Sequence, residues 1–453
     1  MKLNRRTFLG ISAGGVASLG LRIPFARAAV PPKLNILVIA LDDMSSEESG
    51  ALTYLNSQPF GQWATFPNFV LNDSLCGPSR ATTLTGQVSH HHGVTYNTET
   101  NNLNDGNVLP RWLQQAGYRT GLVGKYLNGY PFTTLRPQPY VPPGWNGWTA
   151  YVSGQQYLDY TLRNGKGVDT HYPSSDANYS TDVFTQRAIA FLDNPSTAPF
   201  FLTVCYNAPH KPCTPATRHA NDFSNLAPLR PPSYNNVTGK PAWMQSLPPV
   251  DTASQDLERK NAWRTLRAAD EGIAALLNRL NSTGRLANTI VFVTSDNGYC
   301  HGQFRWSGKL LPYEPSCRTT MSVRHPLVAG PPGRTVPLVV GNVDFASTIC
   351  QLAGATPGLP QDGASFAGAI DPTFQPPVDK VHLLAQRFAP TSPTCPKFWG
   401  LRGPRYKYVE WDSGEVELYD LNVDPDELNN VANAPAYAQN RTRQHNALAT
   451  LKA

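Results

Sequence analysis

The run Leu34-Asn35-Ile36-Leu37-Val38-Ile39-Ala40-Leu41 leads without a break into Asp42-Asp43. An apolar stretch of this length, with no in–out alternation, reads as a strand buried on both faces. Three more segments repeat the pattern. Residues 118–123 end in Gly124-Lys125, residues 200–206 end in Asn207-Ala208-Pro209-His210, and residues 289–295 end in Asp296-Asn297-Gly298. Helical spacing separates them, over 109–116, 181–192 and 255–280. Strands alternating with helices predict an α/β domain with a mostly parallel central sheet flanked by helices. In such a sheet, ligands gather beyond the carboxyl ends of the strands. Asp42, Asp43, Lys125, His210, Asp296 and Asn297 all stand there, so they are expected to converge on one edge.

Past Pro372 the pattern changes. Short strands are expected over 380–387, 399–402, 407–410 and 416–419, with Ser413-Gly414 as a hairpin turn and a helix after Tyr437. This predicts a small antiparallel-sheet subdomain over 376–453, following a main domain over 29–375. Residues 1–28 read as an export signal. Asn4-Arg5-Arg6-Thr7-Phe8-Leu9 has the twin-arginine pattern, an uncharged stretch follows, and Ala26-Arg27-Ala28 offers a cleavage site. The expected location is therefore exported, periplasmic or secreted, from a bacterium, with the twin-arginine translocase as a partner and no membrane span after cleavage.

Removing the signal takes away five positive charges and no acid, so the net charge falls from +6 to +1. That balance argues against a nucleic-acid partner. The 41 prolines sit in single turns and short clusters, consistent with ordered surface loops. Of the seven cysteines, none has CxxC or Cys/His spacing, which argues against a zinc site. Cys205 and Cys213 flank one loop and are candidates for a disulfide.

The most specific stretch is Cys76-Gly77-Pro78-Ser79-Arg80-Ala81-Thr82-Thr83-Leu84-Thr85-Gly86. Pro78 suits the first position of a helix, which would place Cys76 just before an N-terminus that favours anions, with Arg80 on the same face. Cys-x-Pro-Ser-Arg with this downstream Gly resembles the signature of the formylglycine-dependent sulfatases, and the family's other motifs follow in order. The resemblance implies an alkaline-phosphatase-like fold and oxidation of Cys76 to formylglycine by a formylglycine-generating enzyme. It also implies one Ca²⁺ or Mg²⁺ held by Asp42, Asp43, Asp296, Asn297 and the residue at 76. All-oxygen donors suit such hard cations.

By the same resemblance, Lys125 grips the sulfate, and Lys309, in Gly308-Lys309-Leu310-Leu311-Pro312-Tyr313-Glu314, and Arg80 join it in neutralising charge. The hydrated formylglycine attacks sulfur, His210 or Lys309 protonates the departing alcohol, and the remaining hydroxyl expels sulfate. The family commonly has a histidine two residues after the lysine that Lys125 matches, where this chain has Leu127. Arg318 stands where the family has an arginine, followed by Thr319-Thr320 in place of Val-Pro. His92 is a candidate supporting residue, whereas Glu47 and Glu48 read as a solvated helix start.

The Gly124-Lys125-Tyr126-Leu127-Asn128 and Pro142-Pro143-Gly144-Trp145 segments resemble the N-acetylglucosamine-6-sulfatase and arylsulfatase branch, pointing to a sulfated small molecule or glycan such as 6-O-sulfated glucosamine. Trp145, Trp148 and Trp306 are candidates for sugar stacking. The competing readings are a phosphate or phosphonate ester hydrolase on the same scaffold and a non-catalytic glycan-binding descendant.

Overall fold

The computed structural model describes residues 33–452 apart from 154–155, 327–332, 372, 374–379 and 387–394. The signal segment 1–28 and the expected boundary at 375/376 lie outside the described residues. The described residues from Leu34 onward form one compact unit.

The first strand, β1 (Asn35–Asp42), is at the centre of the large sheet, with parallel neighbours on both sides. Such a strand meets helices on each face, which is why its side chains are almost uniformly apolar. Next come β2 (Trp63–Val70), α1 (Cys76–Thr85), α2 (Leu109–Gln115), β3 (Arg119–Gly124) and β4 (Gly147–Ser153). They are followed by β5 (Tyr160–Asn164), β6 (Asp169–Tyr172), α3 (Ser180–Leu192), β7 (Phe200–Pro209), α4 (Thr252–Ser282) and β8 (Thr289–Ser295). β9 (Arg318–Arg324) and α5 (Phe345–Ala353) complete the main layers.

The order across the sheet is β2-β9-β8-β1-β7-β3-β4-β5-β6, with two-residue strands beyond β2. The five strands β8-β1-β7-β3-β4 are mutually parallel, and β9 runs antiparallel to both β8 and β2. One core packs α3 and α4 on one face, through Phe184, Leu266, Ile273 and Leu277. The other packs α2 and α5 on the opposite face, through Trp112, Phe345 and Ile349.

The second sheet, β10 (His382–Gln386), β11 (Phe398–Arg402), β12 (Tyr406–Trp411) and β13 (Val416–Asp420), is an antiparallel meander followed by α6 (Ala438–Leu451). Among the described residues, no helix is long and apolar enough to cross a membrane.

Candidate active site

β1 carries its apolar side chains to the end of the sheet and stops at Asp42 and Asp43, both buried. Asp43 has φ +74°, a left-handed conformation that costs a non-glycine residue free energy. The turn is fixed by Asp43 N–H donating to Asp296 Oδ1 (3.2 Å) and Met44 N–H donating to Ser295 Oγ (2.9 Å). Both acceptors come from the end of the neighbouring β8. β3 delivers Lys125 through Gly124, where φ is +108° and a Cβ would stand 2.0 Å from the Cys205 carbonyl oxygen. Only glycine fits there.

Cys76 is the first residue of α1, not the residue before it, and Pro78 is the third. The N-cap, Leu75, has no side chain able to cap, so a proline at the third position removes a donor that would otherwise be orphaned. The first regular bond is Ser79 N–H to the Leu75 carbonyl, 2.9 Å. Asn97 Oδ1 accepts from Gly77 N–H at 2.8 Å and satisfies another donor of that turn.

The predicted residues meet at this edge. Lys125 Nζ lies 2.6 Å from Asp42 Oδ2, and Arg80 Nη2 is 3.7 Å from the same oxygen. Arg80 also donates from Nε to Asp296 Oδ2 (2.8 Å) and from Nη1 to the Lys125 carbonyl (2.9 Å). Lys309 pairs with Asp43 Oδ1 and approaches Cys76 Sγ at 2.9 Å. Cys76 Sγ is 3.4 Å from Asp42 Oδ1. Asn297 Nδ2 donates to Asp43 Oδ1 at 2.6 Å. His210 stands at the mouth, its side chain 31% exposed and Nε2 3.7 Å from Asp43 Oδ2. The short contact of its Nδ1 with the Lys211 carbonyl (2.6 Å) fixes the proton on Nδ1 and leaves Nε2 for the site.

These contacts set the electrostatics. Burial alone would raise Asp42, but Lys125, His210, Arg80 and Lys309 overcome it and hold the carboxyl below the usual range. Burial opposes ionisation of Asp43 in the same way, and Lys309 and His210 outweigh it. Asp296 is pushed up by burial and by Asp42. Burial and Asp42 push the Cys76 thiol up to about 12, despite Lys125 and Lys309 nearby. Burial would lower Lys309, yet Asp43 and Cys76 drive its ammonium well above the lysine range. A neutral thiol there is a poor nucleophile.

The oxygen donors of Asp42, Asp43 and Asn297 fit a hard cation. Ligand atoms of Asp42, Asp43, Cys76 and His210 lie within 4.8 Å of one another. Asn297 Oδ1 is buried with no hydrogen-bond partner, a cost that a bound cation would remove. Asp296 borders the same cluster, its Oδ1 accepting from the Asp43 amide and its Oδ2 from Arg80 Nε.

Several sequence expectations change. Glu48 is fully buried, not solvated, because Ser45 N–H and Ser45 Oγ donate to its Oε2 and His301 Nε2 sits 2.8 Å from its Oε1. Glu47 pairs with Arg259 across 212 positions. The Ser45–Glu48 bonds follow a local Ser-x-x-Glu pattern, whereas the pairings with His301 and Arg259 leave no mark in the local sequence. His92 lies under α1, with Nε2 3.0 Å from Thr82 Oγ1 and Nδ1 accepting from Val94 N–H at 3.1 Å. Burial pushes its pKa down to about 3, so it braces the helix as a neutral ring. Arg318 binds Glu314 and the Pro67 carbonyl, and Thr319-Thr320 belong to β9. Leu127 is buried in an apolar cluster with Tyr126 and Trp148. Trp148 and Trp306 are buried, and Trp145 packs on Phe201, so none of the three offers an open face to a sugar. Cys205 and Cys213 are both free, and Cys213 Sγ donates to the Pro209 carbonyl.

Comparison with known proteins gives this geometry a context. Residues 34–355 match the sulfatase family profile, and residues 302–453 match one described as N-sulphoglucosamine sulphohydrolase, C-terminal. The N-acetylglucosamine-6-sulfatase of Homo sapiens is 32% identical over 465 residues, covering 90% of this chain and 82% of that protein. A solved structure of a protein in complex with its substrate D-glucosamine-2-N,6-O-disulfate superposes with TM-score 0.79 at 25% identity, covering 92% of this chain and 97% of that one. The phosphonate monoester hydrolase of Agrobacterium radiobacter (TM-score 0.74, 19% identity, 93% and 95% covered) shares the fold alone. The profile spans the whole parallel sheet and the ends of all its strands, and on that match the chain belongs to the sulfatase family and is a sulfuric ester hydrolase.

Proposed function

We propose that the chain hydrolyses a 6-O-sulfate from a sulfated glucosamine, using formylglycine made from Cys76 and a Ca²⁺ or Mg²⁺ ion held by Asp42, Asp43, Asp296 and Asn297. The observation that carries the reading is the position of Cys76 Sγ. It stands 3.4 Å from Asp42 Oδ1 and 2.9 Å from Lys309 Nζ, between the carboxylates and the cations. The sugar preference rests on the relatives named N-acetylglucosamine-6-sulfatase and on the disulfated glucosamine complex.

When bound, a hard divalent cation supplies positive charge that acidifies an oxygen nucleophile and polarises a sulfuryl oxygen. Formylglycine supplies, as its hydrate, the hydroxyl nucleophile that a buried neutral thiol cannot. The chain's own residues do the rest. Lys125, Lys309 and Arg80 are fixed by carboxylates before substrate arrives, so they receive charge on the sulfuryl oxygens without reorganising. Arg80 Nη2 has no hydrogen-bond partner and is free to donate. His210, with its Nδ1 proton committed to a carbonyl, presents Nε2 at the mouth and in its protonated form donates from that atom to the departing alcohol.

Two measurements test the proposal together. The mass of the peptide containing residue 76 must show an aldehyde in place of the thiol. Rates on glucosamine 6-sulfate, N-acetylglucosamine 6-sulfate, an aryl sulfate and the matching aryl phosphate must favour a sugar sulfate. An unmodified thiol would mean a glycan-binding descendant, and faster phosphate turnover would mean a phosphoryl hydrolase. Strong aryl turnover with no sugar activity would remove the substrate assignment and leave the family standing.

A further inference from the structure

Lys309 lies between β8 and β9, just past a two-residue strand (Ser307–Gly308) paired with Cys300–His301 and away from the ends of the large sheet, so its position has to be imposed by neighbours. The residue after it, Leu310, has φ +81°, a left-handed conformation that a branched apolar residue holds only when its surroundings over-determine it. On one side, the Lys309 carbonyl accepts from Trp306 Nε1 at 2.8 Å. Trp306 meets Trp243 edge to face (6.0 Å), and Trp243 meets Trp411 of β12 (5.3 Å). On the other side, Leu310 N–H donates to the Ser74 carbonyl (3.1 Å), and Ser74 Oγ donates to the Leu311 carbonyl (3.3 Å). Those bonds tie the loop to the segment leading into Cys76. The chain then reaches Tyr313.

Tyr313 is buried, and its hydroxyl donates to both oxygens of Glu417, each at 3.0 Å. Glu417 lies on β13 of the second sheet and is itself 1% exposed. It also accepts from Trp411 Nε1 (2.8 Å) and from the Tyr419 hydroxyl. The Tyr419 hydroxyl in turn accepts from Lys240 Nζ at 2.8 Å, and Lys240 lies over the rings of Phe304, Tyr313 and Tyr419. One buried carboxylate thus joins both flanks of Lys309, through Tyr313 directly and through Trp411, Trp243 and Trp306. A buried network of this kind is rigid while every member is paired, and loosens when one is removed.

We propose that Glu417 is a positioning residue that holds Lys309 against residue 76, so that the C-terminal sheet completes the catalytic geometry. The proposal rests on the reading of Lys309 given above. Glu417→Ala leaves three buried donors without their acceptor and frees the loop at Tyr313. A displacement of about 1 Å costs on the order of 10²-fold in rate, so kcat falls by about that factor with KM within about twofold. Glu417→Gln, which keeps an acceptor oxygen in place, restores most of the loss. Tyr313→Phe removes only the hydroxyl, preserves the packing, and lowers kcat in the same direction.

The decisive experiment is a double-mutant cycle on kcat with Lys309→Met, run on glucosamine 6-sulfate and on an aryl sulfate in parallel. If Glu417 acts through Lys309, adding Glu417→Ala to Lys309→Met costs nothing further. Independent, multiplicative losses would overturn the proposal, as would wild-type kcat in a folded Glu417→Ala enzyme. Should that variant fail to fold, the cycle is run with Tyr313→Phe, and multiplicative losses there overturn the proposal equally. Wild-type kcat in Lys309→Met alone would sink the reading of Lys309 and this proposal with it, whereas a substrate misassignment would show only as a difference between the two esters.

Discussion

Lys125→Met removes a charge and little volume, and its consequences can be worked from the distances. Lys125 is 1% exposed and its Nζ lies 2.6 Å from Asp42 Oδ2. At an effective dielectric near 20, that pair is worth about 6 kcal/mol of Coulomb energy. Part of this survives, because Arg80 Nη2 remains 3.7 Å from the same oxygen. Breaking a buried pair while leaving one charge behind typically costs about 3 kcal/mol or somewhat more. With an unfolding entropy of about 2 cal/mol/K per residue, that loss lowers Tm by only about 3–4 °C in a chain of this size. The destabilisation should appear in chelator and shrink in saturating Ca²⁺, because a bound cation gives Asp42 a new partner. Catalysis does not recover in parallel, since a lost charge-stabilising donor costs about 10²–10³-fold in kcat. Differential scanning calorimetry with and without Ca²⁺, beside steady-state kinetics, checks both halves. A kcat within about fivefold of wild type would refute the sulfate-gripping role. A Tm difference unaffected by Ca²⁺ would refute the pairing of that ion with Asp42.

Chelation should abolish turnover, with Ca²⁺ or Mg²⁺ restoring it, and Asp43→Asn should weaken metal affinity measured by calorimetry while keeping the fold; rescue by zinc alone would remove the hard-cation site. Asp73 is fully buried with Oδ2 unpartnered, and burial pushes its carboxyl up to about 7. Its folded pKa is raised, so the destabilisation is absent below about pH 4, builds between about pH 4 and 7 as the unfolded chain ionises ahead of the folded one, and levels off above 7 at about 4 kcal/mol. Asp73→Asn should therefore melt above wild type at about pH 8 and with it at about pH 4, and equal gaps at both would refute the assignment. Replacing Arg5 and Arg6 with lysine should hold the protein in the cytoplasm of its host, scored by fractionation, and efficient export of that variant would count against the twin-arginine route.

The parallel half of the sheet is legible in the sequence because its strands are apolar on both faces. The apolar run over 289–295 coincides with β8, and the run over 34–41 falls within one residue of β1. β2 and β9 carry no such signal, for a physical reason. β9 reads Arg-Thr-Thr-Met-Ser-Val-Arg, with polar and apolar residues mixed, and Thr319-Thr320 stands out only as a departure from a motif. β2 carries Pro67 in its middle, tolerated where the ladder shifts register between Thr319 and Met321 of its partner. In the site, residues at strand ends can be found because topology gathers them, whatever their separation in the chain. Glu48 with His301, and Glu417 with Tyr313, cannot. Each pair joins side chains more than a hundred positions apart, with no shared element end to mark them. The tryptophans show the opposite failure: proximity to a motif suggests sugar stacking at Trp306, whose ring is spent on holding the Lys309 carbonyl.

The site's charge balance explains how a nearly neutral chain can act on an anion. After loss of residues 1–28 the net charge would be +1, too little to draw a sulfated ester from a distance. At the sheet edge, three carboxylates (Asp42, Asp43, Asp296) face three permanent cations (Arg80, Lys125, Lys309), so the ligand-free cluster is close to neutral and can be buried. A divalent cation added to that set leaves an excess of two positive charges in a water-poor pocket, where each is worth far more than at the surface. On the proposed reading, the attraction for sulfate would then be created locally and only with the ion bound. Asp296→Asn keeps an amide oxygen for the ion and, at saturating Ca²⁺, would raise that excess to three, which is why we expect it to tighten inhibition by inorganic sulfate in Ca²⁺ while loosening Arg80, whose Nε it holds at 2.8 Å. Inhibition constants for sulfate, measured with and without Ca²⁺ in both proteins, check this, and an unchanged or weaker inhibition in the variant would refute the charge argument.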